Sequence, residues 1–168
     1  MSTPDEGPEP KISCYVTTSR KARQATRRLA RSLSKIFNCA YGSRGKRSFN
    51  SVLSSAEGYG ISRVIFIYER HGNPREIYAV DVCDGQWVEN VLIEINSVLI
   101  GRVLNKIAGS ELYVSGELAE KISSVFNCLP SGSFRKAKAV LASSGNTLTA
   151  AVGGEDKIVL KVLSEIYA

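Results

Sequence analysis

The chain has 168 residues, of which 43% are hydrophobic and 23% are charged. This is an ordinary globular composition, and a chain of this length buries enough surface to fold without a disulfide or metal. No apolar stretch reaches the roughly 18 residues that span a bilayer, and the acidic, proline-containing start is unlike a signal peptide, so we expect neither membrane insertion nor export.

The net charge of +6 hides a strong segregation of charge along the chain. Residues 11–56 contain eleven Lys and Arg residues and no acid, whereas residues 57–168 contain eleven bases and thirteen acids. Half of all bases therefore lie in about a quarter of the chain. Such an asymmetry indicates an anionic partner rather than a general adaptation for solubility.

The first elements follow from hydrophobic periodicity. Residues 1–10 contain three prolines and three acids and predict a flexible tail before a single domain over 11–168. Apolar residues alternate from Ile12 to Thr18, which predicts a strand. The spacing then changes to three and four from Ala22 to Phe37, which predicts a helix with one buried face. A short connection or strand follows at Asn38–Tyr41.

The next elements alternate between helix and strand. The run Val64–Tyr68 is apolar without alternation, as in a strand covered on both faces. The spacing at Leu99–Ile107 also suits a helix, so the end of the last strand in this region stays open. The full prediction is a basic loop at 42–47, a helix at 49–56, and strands at 64–68, 77–83 and 91–100.

The second part of the chain repeats the first in the order of its motifs. The matching segments are Tyr15-Val16-Thr17 with Tyr113-Val114-Ser115, Ile36-Phe37-Asn38-Cys39 with Val125-Phe126-Asn127-Cys128, and Ser48-Phe49 with Ser133-Phe134. Helical spacing of Phe134, Ala137 and Leu141 predicts a second helix in this part. We therefore predict an α/β fold of two similar β-α-β-α-β-β halves with mixed sheets, at about 11–86 and 87–168.

Four bases of the first predicted helix follow one another at intervals of four residues, namely Arg23, Arg27, Arg31 and Lys35. They form a slowly winding ridge opposite the apolar face, with no acid beside them. Like charges at this spacing cost a few tenths of a kcal/mol each, so a polyanionic partner is the favoured interpretation. A merely solvated basic face is the alternative.

The segment before this helix has the features of a phosphate site. Hydroxyl groups and free backbone N–H groups at a helix start attract anions, and adjacent bases strengthen the attraction. Simple helix capping by Thr18 or Ser19 is the alternative. A second basic loop precedes the next helix and is either part of the same surface or a solvated loop. The residues predicted to bind the anionic partner are Thr18, Ser19, Arg20, Lys21, Arg23, Arg27, Arg31, Arg44, Lys46 and Arg47.

Other chemistry has little support in the sequence. The four cysteines are scattered and there is one histidine, His71, so we expect no metal site and interpret the cysteines as buried, reduced thiols of a cytoplasmic protein. The Gly42–Ser48 segment lacks the spacing of a nucleotide-binding loop. We expect no catalytic residues and no cofactor.

Aromatic residues near the basic segment are candidates for stacking on unpaired bases. They are Tyr15, Tyr41, Phe49 and Tyr59. Core packing is the favoured interpretation for Phe49, and Trp87 is interpreted as a core residue or an anchor between the halves.

The opening Thr17-Thr18-Ser19-Arg20-Lys21, followed by a basic helix and a basic loop, resembles the Brix-domain family of ribosome biogenesis factors. The resemblance continues through Tyr68-Glu69-Arg70, Asn73-Pro74 and Asp84-Gly85. The chain departs from the family pattern at Ala22 and at Gln86, where the family often has proline. It lacks long charged extensions and is most similar to the compact archaeal form.

This resemblance implies a non-catalytic protein that binds ribosomal RNA or pre-ribosomal particles, beside other assembly proteins, and promotes ribosome assembly. The predicted binding residues above would then be its RNA-binding residues. It also implies that each half resembles the anticodon-binding domain of a class II aminoacyl-tRNA synthetase. Two alternatives stay open. One is a tRNA-directed accessory module of the anticodon-binding type, and the other is a protein–protein adaptor whose basic face meets an acidic partner.

Overall fold

A computed structural model describes residues 12, 14–128 and 130–167, with side chains described as far as residue 165. The predicted tail at 1–10 lies outside the described residues. In these ranges the chain forms three α-helices and nine strands. They are β1 Tyr15–Thr18, α1 Gln24–Ile36, β2 Ala40–Tyr41, α2 Phe49–Gly58, β3 Arg63–Arg70, β4 Asn73–Cys83, β5 Gln86–Ile100, β6 Leu112–Ser115, α3 Glu117–Val125, β7 Ala139–Ser144, β8 Thr147–Val152 and β9 Glu155–Tyr167.

All nine strands belong to one mixed sheet in the order β2-β1-β3-β4-β5-β9-β8-β7-β6. Strand β1 is parallel to both β2 and β3, β6 is parallel to β7, and the other neighbours are antiparallel. The expectation of separate sheets is wrong because β5 and β9 pair along most of their length and join the strands into one sheet. The predicted boundary between residues 86 and 87 falls inside β5.

The helices cover the sheet unequally. On one face, α1 and α3 pack their apolar residues into a large core that includes Leu33 and Ile122. On the other face, α2 packs Val52 and Leu53 over the first strands of the sheet. Strand β3 supplies alternate residues to both cores, and all four of its residues 64–67 are fully buried. This confirms the prediction that this apolar run is covered on both faces.

Helices α1 and α3 end in the same way. The amide of Phe37 donates to Leu33 O at 3.0 Å, and the amide of Phe126 donates to Ile122 O at 3.2 Å. The next residues, Asn38 and Asn127, both have φ of 54°, a left-handed conformation that asparagine tolerates better than most residues. The sequence similarity between these two segments therefore corresponds to one shared helix-ending geometry.

The strands around β1 and β6 pair in corresponding registers. Tyr15 pairs with Val64, which pairs with Val80. Tyr113 pairs with Val140, which pairs with Ala151. The register of β4 against β5 shifts between Ala79 and Val80. The register of β8 against β9 shifts between Ala150 and Ala151. The two sets of strands therefore have an irregularity in pairing at corresponding places.

The second predicted helix of the second part is wrong. Residues 134–136 form a turn, and Leu141 is buried in β7. Only five residues separate Ser133 from the start of β7, which is too few for a two-turn helix and its connections. A strand equivalent to β2 is also absent from the described residues, where Pro130 lacks the N–H that a ladder requires.

The element order β-α-β-α-β-β is thus present over residues 15–83, and the second part has the order β-α-β-β-β instead. The open question at Leu99–Ile107 is also settled, because β5 continues to Ile100 and residues 101–108 are irregular. The cysteine prediction holds for Cys14, Cys39 and Cys128, which are buried, and is wrong for Cys83, which is exposed beside the β4–β5 turn.

Candidate nucleic-acid interface

The start of α1 already holds an internal anion. Arg23 occupies the N-cap position without a side-chain cap, and its amide donates to Glu69 Oε2 at 3.0 Å. The Thr26 hydroxyl donates to the same oxygen at 2.5 Å. A carboxylate at this position satisfies orphan N–H groups and interacts favourably with the helix dipole. The place that the sequence predicts for a phosphate is therefore taken by Glu69.

Thr18 and Ser19 lie before the helix rather than at its first turn. Thr18 is buried, and its hydroxyl donates to Ser19 O at 3.0 Å. The amide of Ser19 donates to Ile67 O at 3.0 Å and continues the pairing of β1 with β3. The hydroxyl oxygen of Ser19 is buried without a hydrogen-bond partner among the described residues. Neither residue caps α1.

The basic loop after β2 is held in place by its own arginines. Arg44 is buried, with Nε donating to Arg47 O at 2.8 Å and Nη1 donating to Thr18 O at 3.2 Å. Its guanidinium lies over the Phe66 ring at 5.3 Å. Arg47 is half-buried and donates from Nη2 to Tyr15 Oη at 2.9 Å. These contacts fix the loop against β1, while Lys46 stays exposed.

The turn before α1 meets this loop. Arg20 Nε donates to Arg47 O at 3.4 Å, so two segments that are 27 residues apart lie side by side. Both Arg20 and Lys21 are exposed. The turn surface, which we define as Arg20, Lys21 and Lys46, therefore presents three exposed cations together with the half-buried Arg47.

The exposed bases of α1 form a second cationic surface. Arg27, Arg28 and Arg31 are exposed, and Lys35 is half-buried. Arg23 is exposed as well, but its side chain lies over the β3–β4 turn, since a methyl group built on Gly72 would lie 2.8 Å from its guanidinium. The other three members of the predicted ridge, Arg27, Arg31 and Lys35, follow one another along α1.

A groove lies between α1 and the segment that follows β5. It has a volume of about 440 Å³ and is lined by Gln24, Arg27, Arg28, Arg31, Ser32, Lys35, Arg102 and Val103. Three hydrogen bonds join its walls. Ser32 Oγ donates to Gly101 O at 3.1 Å, Lys35 Nζ donates to Val103 O at 3.0 Å, and Ile107 N donates to Lys35 O at 2.8 Å.

Two cationic residues of this groove, Arg28 and Arg102, belong neither to the predicted binding residues nor to the predicted ridge. Arg28 follows Arg27 and lies three residues before Arg31, so helical spacing alone offers a signal for it. Arg102 has no local signal, because only the folding of residues 101–103 against α1 brings it there. With both included, the groove is lined by five cationic side chains, and none of its lining residues is acidic.

Most of the candidate aromatic residues pack within the fold. Tyr15 is buried, and Phe49 stacks on Phe66 with ring centroids 4.9 Å apart. Trp87 packs edge-on against Phe49 and remains 43% exposed, so it does not anchor two halves. Tyr59 is 79% exposed at the end of α2. Tyr41 lies under the guanidinium of Arg31, 5.5 Å from the ring centroid.

Other kinds of site find no support in the described part of the chain. Within it, no group of three or more His, Cys, Asp or Glu side chains could hold a metal ion. No helix there is both long and apolar enough to cross a bilayer. What the two cationic surfaces can do chemically is neutralise phosphates and donate hydrogen bonds to them.

No family model matches the chain. A segment of 71 residues is 42% identical to a probable Brix domain-containing ribosomal biogenesis protein of Methanothermobacter thermautotrophicus. The match covers 42% of this chain and 43% of the relative, so it spans less than half of that protein's length.

Two crystal structures are similar over most of the chain. One is Mil, an archaeal Imp4-like protein, with a TM-score of 0.67 and 25% identity over 92% of this chain and 99% of that one. The other is a probable ribosomal biogenesis protein from Aeropyrum pernix, with a TM-score of 0.66 and 21% identity over 90% and 96% of the two chains. The resemblance to Brix-domain ribosome biogenesis proteins that the sequence motifs indicated is thereby confirmed.

Proposed function

We propose that this chain, which resembles Brix-domain proteins of ribosome biogenesis, is a non-catalytic assembly factor that binds ribosomal RNA through the turn surface and α1. The observation that carries the proposal is the set of exposed cations on α1 with no acidic residue lining the groove beside them. Like charges so close together destabilise a protein alone and are offset by a polyanion.

The proposed contacts divide by burial and by the neighbours of each side chain. Five exposed side chains of the sequence-based set reach phosphates directly, namely Arg20, Lys21, Arg27, Arg31 and Lys46. Arg44 and Arg47 hold the loop that presents Lys46, since their guanidinium groups are bonded to backbone carbonyls. Arg23 is exposed too, but it lies against the turn at Gly72 and supports that turn. Thr18 and Ser19 extend the pairing of β1 and leave phosphate contact to the bases around them.

We also propose that the sheet is a duplication, in which each half is similar to a synthetase anticodon-binding domain as the family resemblance implies. The support lies in the shared ending of α1 and α3 and in the corresponding registers around β1 and β6. On this proposal the first half extends to the end of β5, whose counterpart is β9. The second half lacks counterparts of β2 and α2.

Charge reversal tests the proposed function. The variant Arg20→Glu/Arg27→Glu alters both surfaces, and Arg135→Glu/Lys136→Glu makes the same charge change at exposed residues of the second part. Binding of a ribosomal RNA fragment is measured by fluorescence anisotropy. We expect the first variant to lose at least tenfold in affinity and the control to stay within about threefold, with similar thermal unfolding.

The salt dependence adds a count of contacts. If about five Lys and Arg side chains contact phosphates of single-stranded RNA, a plot of log affinity against log salt concentration has a slope near −3.5. Equal affinities for the charge-reversal variant and its control contradict the assignment of the surface. A preference for tRNA in competition supports a tRNA-directed module instead, and complexes that survive ribonuclease support a protein adaptor.

A further inference from the structure

We propose that the groove between α1 and residues 101–103 binds one extended strand of RNA, with phosphates between its two walls and a base on Arg31. That the polyanion is RNA rests on the proposed function. The choice of a single strand over a duplex, and the role of Arg102, rest on the geometry of the groove.

Both walls of the groove carry positive charge. Arg27, Arg28 and Arg31 come from α1, and Arg102 comes from the facing segment. A phosphate that lies between the walls receives hydrogen bonds from both sides, whereas a phosphate on an open helix face receives them from one side. Guanidinium groups suit this geometry because their planar donors match phosphate oxygens in pairs.

The groove is held in shape before any ligand binds. The side chains of Ser32 and Lys35 donate to backbone oxygens of Gly101 and Val103. The amide of Ile107 donates to the last turn of α1 at Lys35 O. A site whose walls are already fixed loses less conformational entropy when it binds. Arg102 is therefore presented to the ligand by a braced segment rather than by a loose loop.

The shape of the groove favours a single strand. A space of about 440 Å³ lies between α1 and the irregular segment at residues 101–103. A narrow space between two walls suits one sugar–phosphate backbone better than the convex surface of a duplex, whose bases are stacked inside. Unpaired strands also expose bases for stacking on arginine planes. Arg31 is suited to this, because Tyr41 supports one face of its guanidinium.

The test uses the full chain with a fluorescent oligouridine and an RNA hairpin of the same length as probes. The variants are Arg28→Glu and Arg102→Glu, with Arg135→Glu as a control of equal charge change at another exposed site. Arg102→Lys keeps the charge at the groove. Each affinity is measured by anisotropy, and thermal unfolding is recorded for every variant.

We expect the wild type to bind oligouridine more tightly than the hairpin, and Arg28→Glu and Arg102→Glu to weaken oligouridine binding at least tenfold. Arg135→Glu should change it by less than about threefold. Arg102→Lys should weaken it less than Arg102→Glu does, because lysine keeps the charge but loses the paired donors. Equal affinity for the two probes, or equal effects of Arg102→Glu and Arg135→Glu, overturns the inference.

The two proposals fail separately. Arg20→Glu/Arg27→Glu could abolish binding of the ribosomal RNA fragment while Arg102→Glu leaves the affinity for both probes unchanged. In that case the groove is not the RNA site, and the proposed function stands. If the wild type binds oligouridine through Arg28 and Arg102 without preferring ribosomal RNA to tRNA, the groove is supported and the ribosomal role fails.

Discussion

The rings of Phe37 and Phe126 stack with their centroids 4.4 Å apart, and each directly follows the last residue of a helix. Both side chains are fully buried. The contact joins the ends of α1 and α3 on one face of the sheet, so the helix that carries the basic residues is anchored to the second part of the chain.

Removal of one ring should destabilise the whole protein. Phe126→Ala leaves a cavity opposite Phe37, and we expect a loss of about 3–5 kcal/mol in the free energy of unfolding. Urea denaturation measures it. Phe134→Ala is the control, because Phe134 is 67% exposed, and its loss should stay below about 1.5 kcal/mol. Similar losses for the two variants would show that the stacked pair is not part of the core.

Arg63 links β3 to the end of α3 and should be a second anchor. Its Nη1 donates to Ser124 O at 3.1 Å and Val125 O at 3.3 Å, and its Nε donates to Asp81 Oδ1 at 2.7 Å. We expect Arg63→Met to lower the free energy of unfolding by about 2–4 kcal/mol, because it removes the donor of two helix carbonyls and leaves the Asp81 carboxylate with the Asn90 amide alone.

The control for this prediction is Glu155→Gln, which breaks the ion pair with Lys157 at a carboxylate that is 76% exposed. An exposed ion pair contributes at most about 1 kcal/mol. A double-mutant cycle with Asp81→Asn should give a coupling energy of at least about 1 kcal/mol. Additive effects in that cycle would mean that the two side chains act independently.

Glu69 is expected to stabilise the first turn of α1. Glu69→Gln removes the negative charge that faces the amide of Arg23 and keeps an oxygen acceptor. We expect a loss of about 1 kcal/mol in urea denaturation at low ionic strength, and a smaller loss at high salt because the interaction with the helix dipole is screened. Asp156→Asn, at an exposed strand position, should have little effect. Salt-independent losses would argue against the dipole interaction.

Much of the fold follows from local patterns, and the exceptions have physical causes. The apolar run of β3 and the spacing of Leu29, Leu33 and Ile36 indicated a buried strand and a one-sided helix, as observed. The helix predicted from the spacing of Phe134 and Leu141 does not form, because few residues remain before β7. The pairing of β7 with two neighbouring strands outweighs a short helical pattern.

The candidate site was less predictable because it depends on contacts between distant segments. Glu69 reaches the start of α1 across 46 residues, and Gly101 meets Ser32 across 69. No local pattern reports either contact. An arginine in a basic loop is expected to be exposed. Arg44 is nevertheless buried, because backbone carbonyls accept hydrogen bonds from its guanidinium and the Phe66 ring covers it.

Cys83 should be the first thiol to react. It is exposed, whereas Cys128 is buried and burial raises the pKa of its thiol to about 11. The carboxylate of Asp84 raises the pKa of Cys83, since it disfavours a neighbouring thiolate. Alkylation of Cys83 by iodoacetamide should therefore accelerate as the pH rises, because the thiolate is the reactive form.

Asp84→Asn separates this charge effect from access. Asparagine tolerates the left-handed backbone of this turn, where φ is 51°. Without the carboxylate the thiol pKa falls, so the alkylation rate of Cys83 near neutral pH should rise severalfold, as followed by mass spectrometry. An unchanged rate would exclude Asp84 as the cause. Cys128 should remain unmodified in both proteins until they are unfolded.

The most direct test of the central claim is crosslinking of the protein to RNA in cells, with sequencing of the RNA adducts and mapping of the crosslinked peptides. The account predicts that ribosomal RNA dominates the adducts and that the peptides come from residues 20–47 and from the segment around Arg102. Adducts that are mainly tRNA, or peptides that come mainly from β6 to β9, would contradict it.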